Sequence, residues 1–87
     1  MRYIIAVFKS RNETLYLANL LKQNGIFSSV INTPKEAGQA CGISVRFDER
    51  VLQKVKTLIL NRPFRSFHGF YRITIFPDNR MAVEKII

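Results

Sequence analysis

The sequence predicts an α+β, ferredoxin-like fold: a β-α-β-β-α-β two-layer sandwich with two helices on one face of an antiparallel four-stranded sheet. Three observations carry this expectation. Tyr3 to Phe8 is an unbroken apolar run of β-branched and aromatic residues. The stretches after Ser10 and after Asp48 place apolar residues at helical spacing. Ile43 to Phe47 and Phe67 to Phe76 alternate with the period of a strand.

The run from Tyr3 to Phe8 is apolar at both parities, which suits a central strand. Ser10-Arg11-Asn12-Glu13 has the form of a capping box: the Ser10 hydroxyl can accept from the Glu13 amide while the Glu13 carboxylate reaches back. The helix it opens runs to about Asn24, with Thr14, Leu17, Ala18 and Leu21 on its core face, and Gly25 supplies a left-handed stop. Ile26 to Ile31 forms a second strand, weakened by Ser28 and Ser29 and so placed at an edge. Thr33-Pro34-Lys35-Glu36 repeats the capping-box pattern with proline at the first helical position, which predicts one helical turn before Gly38. Ile43, Val45 and Phe47 face one way on the third strand, Ser44 and Arg46 the other. Asp48 caps a second helix through Leu60, with Val51, Leu52, Val55, Leu58 and Ile59 on the buried face, and Pro63 ends it. On the fourth strand Tyr71, Ile73 and Ile75 fit the core, and Phe70, Arg72, Thr74 and Phe76 the opposite face. Pro77-Asp78-Asn79 makes a turn. Met81 to Ile87 fits either a stub of helix or an added strand.

A length of 87 residues leaves room for one core, so residues 1–87 are expected to form a single domain, with 77–87 as a short extension. The first strand's helix-free side needs cover, from a homodimer packed sheet to sheet or from the C-terminal stub. One cysteine cannot close an intramolecular disulfide, which argues against a secreted, stapled scaffold. The opening apolar run is too short for a signal peptide, and no segment approaches the roughly 20 apolar residues of a membrane span. A cytoplasmic protein is expected. The net charge of +8 favours anionic partners, although the cations are scattered and a merely solvated basic surface is the plainer reading.

Cys41 is the one strongly nucleophilic side chain. The predicted topology puts it near Lys9, Ser10 and Arg11, within reach of Arg62 to His68. There the first helix's amides and two full charges would favour thiolate. Gly42 leaves the approach open, and His68 could carry a proton. Against this, Cys41 shares parity with Ile43, Val45 and Phe47, so a strand extended back through it would bury the sulfur as a small hydrophobe. No set of residues stands at metal-ligand spacing, and no cofactor motif is present. A second reading is a noncatalytic binding module that uses the Phe70, Arg72 and Phe76 face for nucleic acid or a protein partner. The stretch Phe67 to Ile75 is faintly like an RNA-recognition strand, but on strand four rather than strand three.

The opening strand, a helix ending in Asn24-Gly25-Ile26, then Thr33-Pro34, then Cys41-Gly42-Ile43-Ser44-Val45-Arg46-Phe47 together resemble a small bacterial family described as selenium/sulfur carrier-like. The resemblance covers approximately residues 3 to 71. It implies a carrier rather than a turnover enzyme, with Cys41 holding sulfur or selenium as a persulfide or selenosulfide. Its partners would be a cysteine desulfurase or a selenium-metabolism protein.

Overall fold

The computed structural model describes residues 1–38 and 42–87. The strands are β1 (Arg2–Phe8), β2 (Ser28–Asn32), β3 (Ile43–Phe47), β4 (Phe67–Ile75) and β5 (Met81–Lys85). The helices are α1 (Arg11–Gln23) and α2 (Leu52–Leu60), with 3-10 turns at Lys35–Ala37 and Glu49–Val51. The strands form one sheet in the order β2-β3-β1-β4-β5, every pair antiparallel. The expectation of four strands is thereby corrected to five. Met81–Lys85 pairs with the otherwise open edge of β4, from Ile75↔Met81 to Tyr71↔Lys85. The turn before it is held by the Arg80 amide, which donates to Asp78 Oδ1 at 3.2 Å.

α1 begins at Ser10, whose hydroxyl accepts from the Glu13 amide at 3.2 Å. It ends in a Schellman motif: Gly25 N–H bonds Lys22 C=O, Ile26 N–H bonds Leu21 C=O, and Gly25 takes the left-handed φ of 70° this closure requires. Thr14, Leu17, Leu20 and Leu21 are buried, while Ala18 is only half-buried against the core. The second capping box does not form. Pro34 rather than Thr33 precedes the turn, no side chain caps it, and the Thr33 hydroxyl pairs with Ser44 at 2.5 Å. Asp48 Oδ1 accepts from the Arg50 amide at 2.8 Å, opening the Glu49–Val51 turn that leads into α2. Val55 and Ile59 are the buried residues of α2; Val51, Leu52 and Leu58 pack at its margin.

The centre of the sheet is buried on both faces, while the edge strands β2 and β5 have no buried residue. On the helix side Ile4, Ala6, Phe8, Val45, Phe47 and Phe70 pack beneath Leu17, Leu21, Val55 and Ile59. On the other side Ile5, Val7, Tyr71 and Ile73 form a second cluster, closed by Ala37 from the Lys35–Ala37 turn. Ala37 is fully buried. The chain's own loop thus covers part of the helix-free face, with Tyr3, Ile31, Ile75 and Val83 partly buried around it, and Met81–Lys85 extends the sheet instead of crossing it. Among the described residues no helix is long and apolar enough to cross a membrane.

Candidate functional site

Antiparallel pairing of β1 with β3 (Ile4↔Phe47, Ala6↔Val45) puts the start of β3 where β1 ends. Pairing with β4 (Phe8↔Phe67) puts the start of β4 there too. Lys9, Ser10 and Arg11 after β1, Gly42 before β3 and His68 in β4 thus lie at one end of the sheet. Cys41 lies outside the described residues, and so do Gln39 and Ala40. Gly38 and Gly42 are the described ends of that segment. The Gly42 carbonyl accepts from the Thr33 amide at 3.0 Å. Among the described residues, a Cβ built on Gly42 meets nothing within 4 Å.

Gly38 has a left-handed φ of 91°, and a Cβ there would lie 3.4 Å from His68 Nε2 and 3.9 Å from the Tyr71 hydroxyl. The loop entering the segment thus descends onto a histidine–tyrosine pair. The β1–β4 register shifts between Val7 and Phe8, so that Val7↔Gly69 is followed by Phe8↔Phe67 and His68 is the extra residue. His68 Nε2 and the Tyr71 hydroxyl are 3.0 Å apart. Period-two reasoning missed the bulge. The available signal was Gly69, a glycine inside a strand pattern.

The start of α1 is tied to the α2–β4 turn. The Glu13 carboxylate does not reach back to Ser10. It accepts from the Arg65 amide at 2.9 Å, the Ser66 amide at 2.8 Å and the Ser66 hydroxyl at 2.6 Å. Ser66 in turn accepts from the Ser10 amide at its Oγ, 3.0 Å, and from the Lys9 amide at its carbonyl, 2.8 Å. The Ser66 hydroxyl, the Arg65 amide and the Ser66 amide hold the Glu13 carboxyl below the usual glutamate range. Phe64 reinforces the junction: its ring centroid is 5.0 Å from Phe8 and 5.5 Å from Tyr16. Lys9 and Arg11, on either side of Ser10, are exposed.

Phe70, Arg72 and Phe76 do not form one open face. Phe70 is 1% exposed in the helix-side core. Arg72 is engaged by Glu49 (Nη2–Oε2, 2.5 Å) and by Glu84 (Nη1–Oε1, 3.2 Å), and Arg2 joins the group at 3.4 Å from Glu49. The Arg72 guanidinium keeps the Glu49 carboxyl below its ordinary range. Phe76 is exposed at the β4–β5 turn with the Arg80 guanidinium 5.4 Å from its ring centroid. Among the described residues no three histidine, cysteine, aspartate or glutamate side chains come together as a metal-binding group. A groove of about 470 Å³ between the end of α1 and α2 is lined by Asn24, Ile26, Gln53, Lys54, Thr57 and Leu58, away from Lys9 and His68.

The family model described as "Putative Se/S carrier protein-like" matches residues 3–71. The match runs from β1 to Tyr71 in β4 and contains Cys41, leaving β5 outside it. No curated protein and no solved structure matches the chain.

Proposed function

The chain belongs to the Putative Se/S carrier protein-like family, and on that premise we propose that it is a thiol-based sulfur or selenium carrier with Cys41 as the attachment point. The observation that carries the reading is that the family match spans the chain's one thiol. In the loading step the Cys41 thiolate attacks the terminal sulfur of a donor persulfide. A Cys41 S–S bond forms, the donor's S–S bond breaks, and the electron pair leaves with the donor thiolate. Sulfur changes hands with no external oxidant, and unloading is the same exchange toward an acceptor thiol. Selenium transfer follows the same pattern.

Stabilisation of the thiolate is assigned to Lys9, Arg11 and the start of α1, where Ser10 caps the Glu13 amide. His68, bonded to Tyr71 beside Gly38, is assigned the proton that thiol and thiolate exchange. Gly42 gives the donor open approach. Donor and acceptor are proteins, a cysteine desulfurase or a selenium-metabolism protein, and the carrier works in a reducing cytoplasm. The βαββαβ order with β5 added at one edge is read as a ferredoxin-like sandwich. Alkylation tests the reading. Cys41 in the native protein is expected to react faster than a free model thiol near neutral pH, and Lys9→Glu to slow it. Labelling only after denaturation would end the proposal.

A further inference from the structure

We infer that the end of the sheet bearing Lys9, Arg11, Arg62 and Arg65 is a docking surface for an acidic protein; this rests on the carrier reading, in which the atom is handed over by contact. These cations come from two segments far apart in sequence, the β1–α1 junction and the α2–β4 turn. The Glu13 carboxylate and Ser66 join the segments: Glu13 on α1 holds the Arg65 and Ser66 amides, and Ser66 accepts from the Lys9 and Ser10 amides. All four cationic side chains are exposed, and none takes part in an ion pair among the described residues.

Five of the six acidic side chains lie elsewhere or are consumed, and the sixth, Glu36, is exposed beside Lys35 on the turn after β2 at this end of the sheet. Asp48 follows β3 and Asp78 precedes β5, both at the opposite end of the sheet, where they pair with Arg50 and Arg80. Glu49 and Glu84 hold Arg72. Glu13, the carboxylate within the patch, is spent on three donors. A surface on which four exposed cations outnumber the one exposed acid complements an acidic partner and steers it by long-range attraction. Single-stranded nucleic acid fits less well, because it needs open aromatic faces. Here Phe8, Phe64 and Phe67 spend their rings on one another, at 5.0 and 5.3 Å.

The test is a titration of ¹⁵N-labelled protein with an oligoglutamate peptide and, separately, with a single-stranded oligonucleotide of equal charge. Peptide-induced amide shifts are expected to centre on residues 9–11 and 62–66, and to be unchanged in Cys41→Ser. Arg62→Gln with Arg65→Gln should weaken binding about tenfold, as should Lys9→Gln with Arg11→Gln, which approaches the patch from the other segment. Shifts centred on Lys54 and Lys56 of α2, shifts spread evenly over the surface, or tighter binding of the oligonucleotide would overturn the inference. Nothing in this titration involves sulfur transfer, so its failure would leave the carrier reading standing, and failure of Cys41 to load would leave the titration unaffected.

Discussion

His68 and Tyr71 lie three residues apart on β4, yet their rings stack on the same face of the sheet with centroids 6.0 Å apart and Nε2 3.0 Å from the hydroxyl. In a regular strand, residues three apart point to opposite faces. The extra residue opposite Val7 and Phe8 cancels one alternation and turns His68 toward Tyr71. The pair then stands where the loop carrying Gly38 meets the sheet. A local register shift thus places the His68 ring beside Gly38.

Gly69 holds that bulge. A Cβ there would lie 2.6 Å from the Ile87 carbonyl oxygen and 2.8 Å from Lys85 Cε. The lysine can move, but a backbone carbonyl cannot without disturbing the bonds of residues 86 and 87 to Phe70. Gly69→Ala is expected to lower stability by about 1–3 kcal/mol in urea unfolding. Hydrogen exchange should speed up at the Phe70 and Ile86 amides. A variant as stable and as protected as wild type would contradict this account of the C-terminal strand.

Glu13 makes stability depend on pH with a definite sign. Its folded-state pKa is lowered, first by the Ser66 hydroxyl and next by the Arg65 amide. A depressed carboxyl pKa contributes stability that is fully present above the unfolded pKa and is lost as pH falls through the folded one. Wild type should therefore lose stability on acidification through and below the ordinary glutamate range. Glu13→Gln should be less stable by about 1–2 kcal/mol at neutral pH, and its stability should fall less in acid. Parallel urea curves for the two proteins across pH would refute the role given to the carboxylate.

The two arginine ion pairs near α2 should differ in worth. Arg50 meets Asp48 on the surface, with 89% and 54% of the two side chains exposed. Arg72 and Glu49 are 25% and 30% exposed, and the pair joins β4 to the Glu49–Val51 turn and to Glu84 of β5. Exposed pairs add little because water screens them. Arg72→Ala is expected to shift the urea midpoint clearly, Arg50→Ala scarcely. Equal shifts would show that the Arg2–Glu49–Arg72–Glu84 group does not bind the layers together.

Periodicity made β1, α1, β3 and α2 legible, because each pattern is local and uninterrupted. Half of the first capping box was legible as well: Ser10 to the Glu13 amide is a contact within one helical turn. The other half was not, since the partner that wins the Glu13 carboxylate is Ser66, 53 residues on. Thr33 was lost to Ser44 for the same reason. β5 mixes charged and apolar residues and becomes a strand only because β4 offers it an edge. Phe70 was assigned to the correct parity, opposite Tyr71, but both parities are buried once the helices cover one face and the Ala37 loop the other. The shared end of Lys9, Gly42 and His68 follows from strand order alone, whereas the His68–Tyr71 pair needed the bulge.

The most direct measurement is the intact mass of the folded protein after incubation with a cysteine desulfurase and cysteine. The account predicts a gain of sulfur on wild type that is removed by a thiol reductant and absent in Cys41→Ser. An unchanged mass under conditions in which the same desulfurase loads another thiol protein, or the same gain in Cys41→Ser, would contradict it.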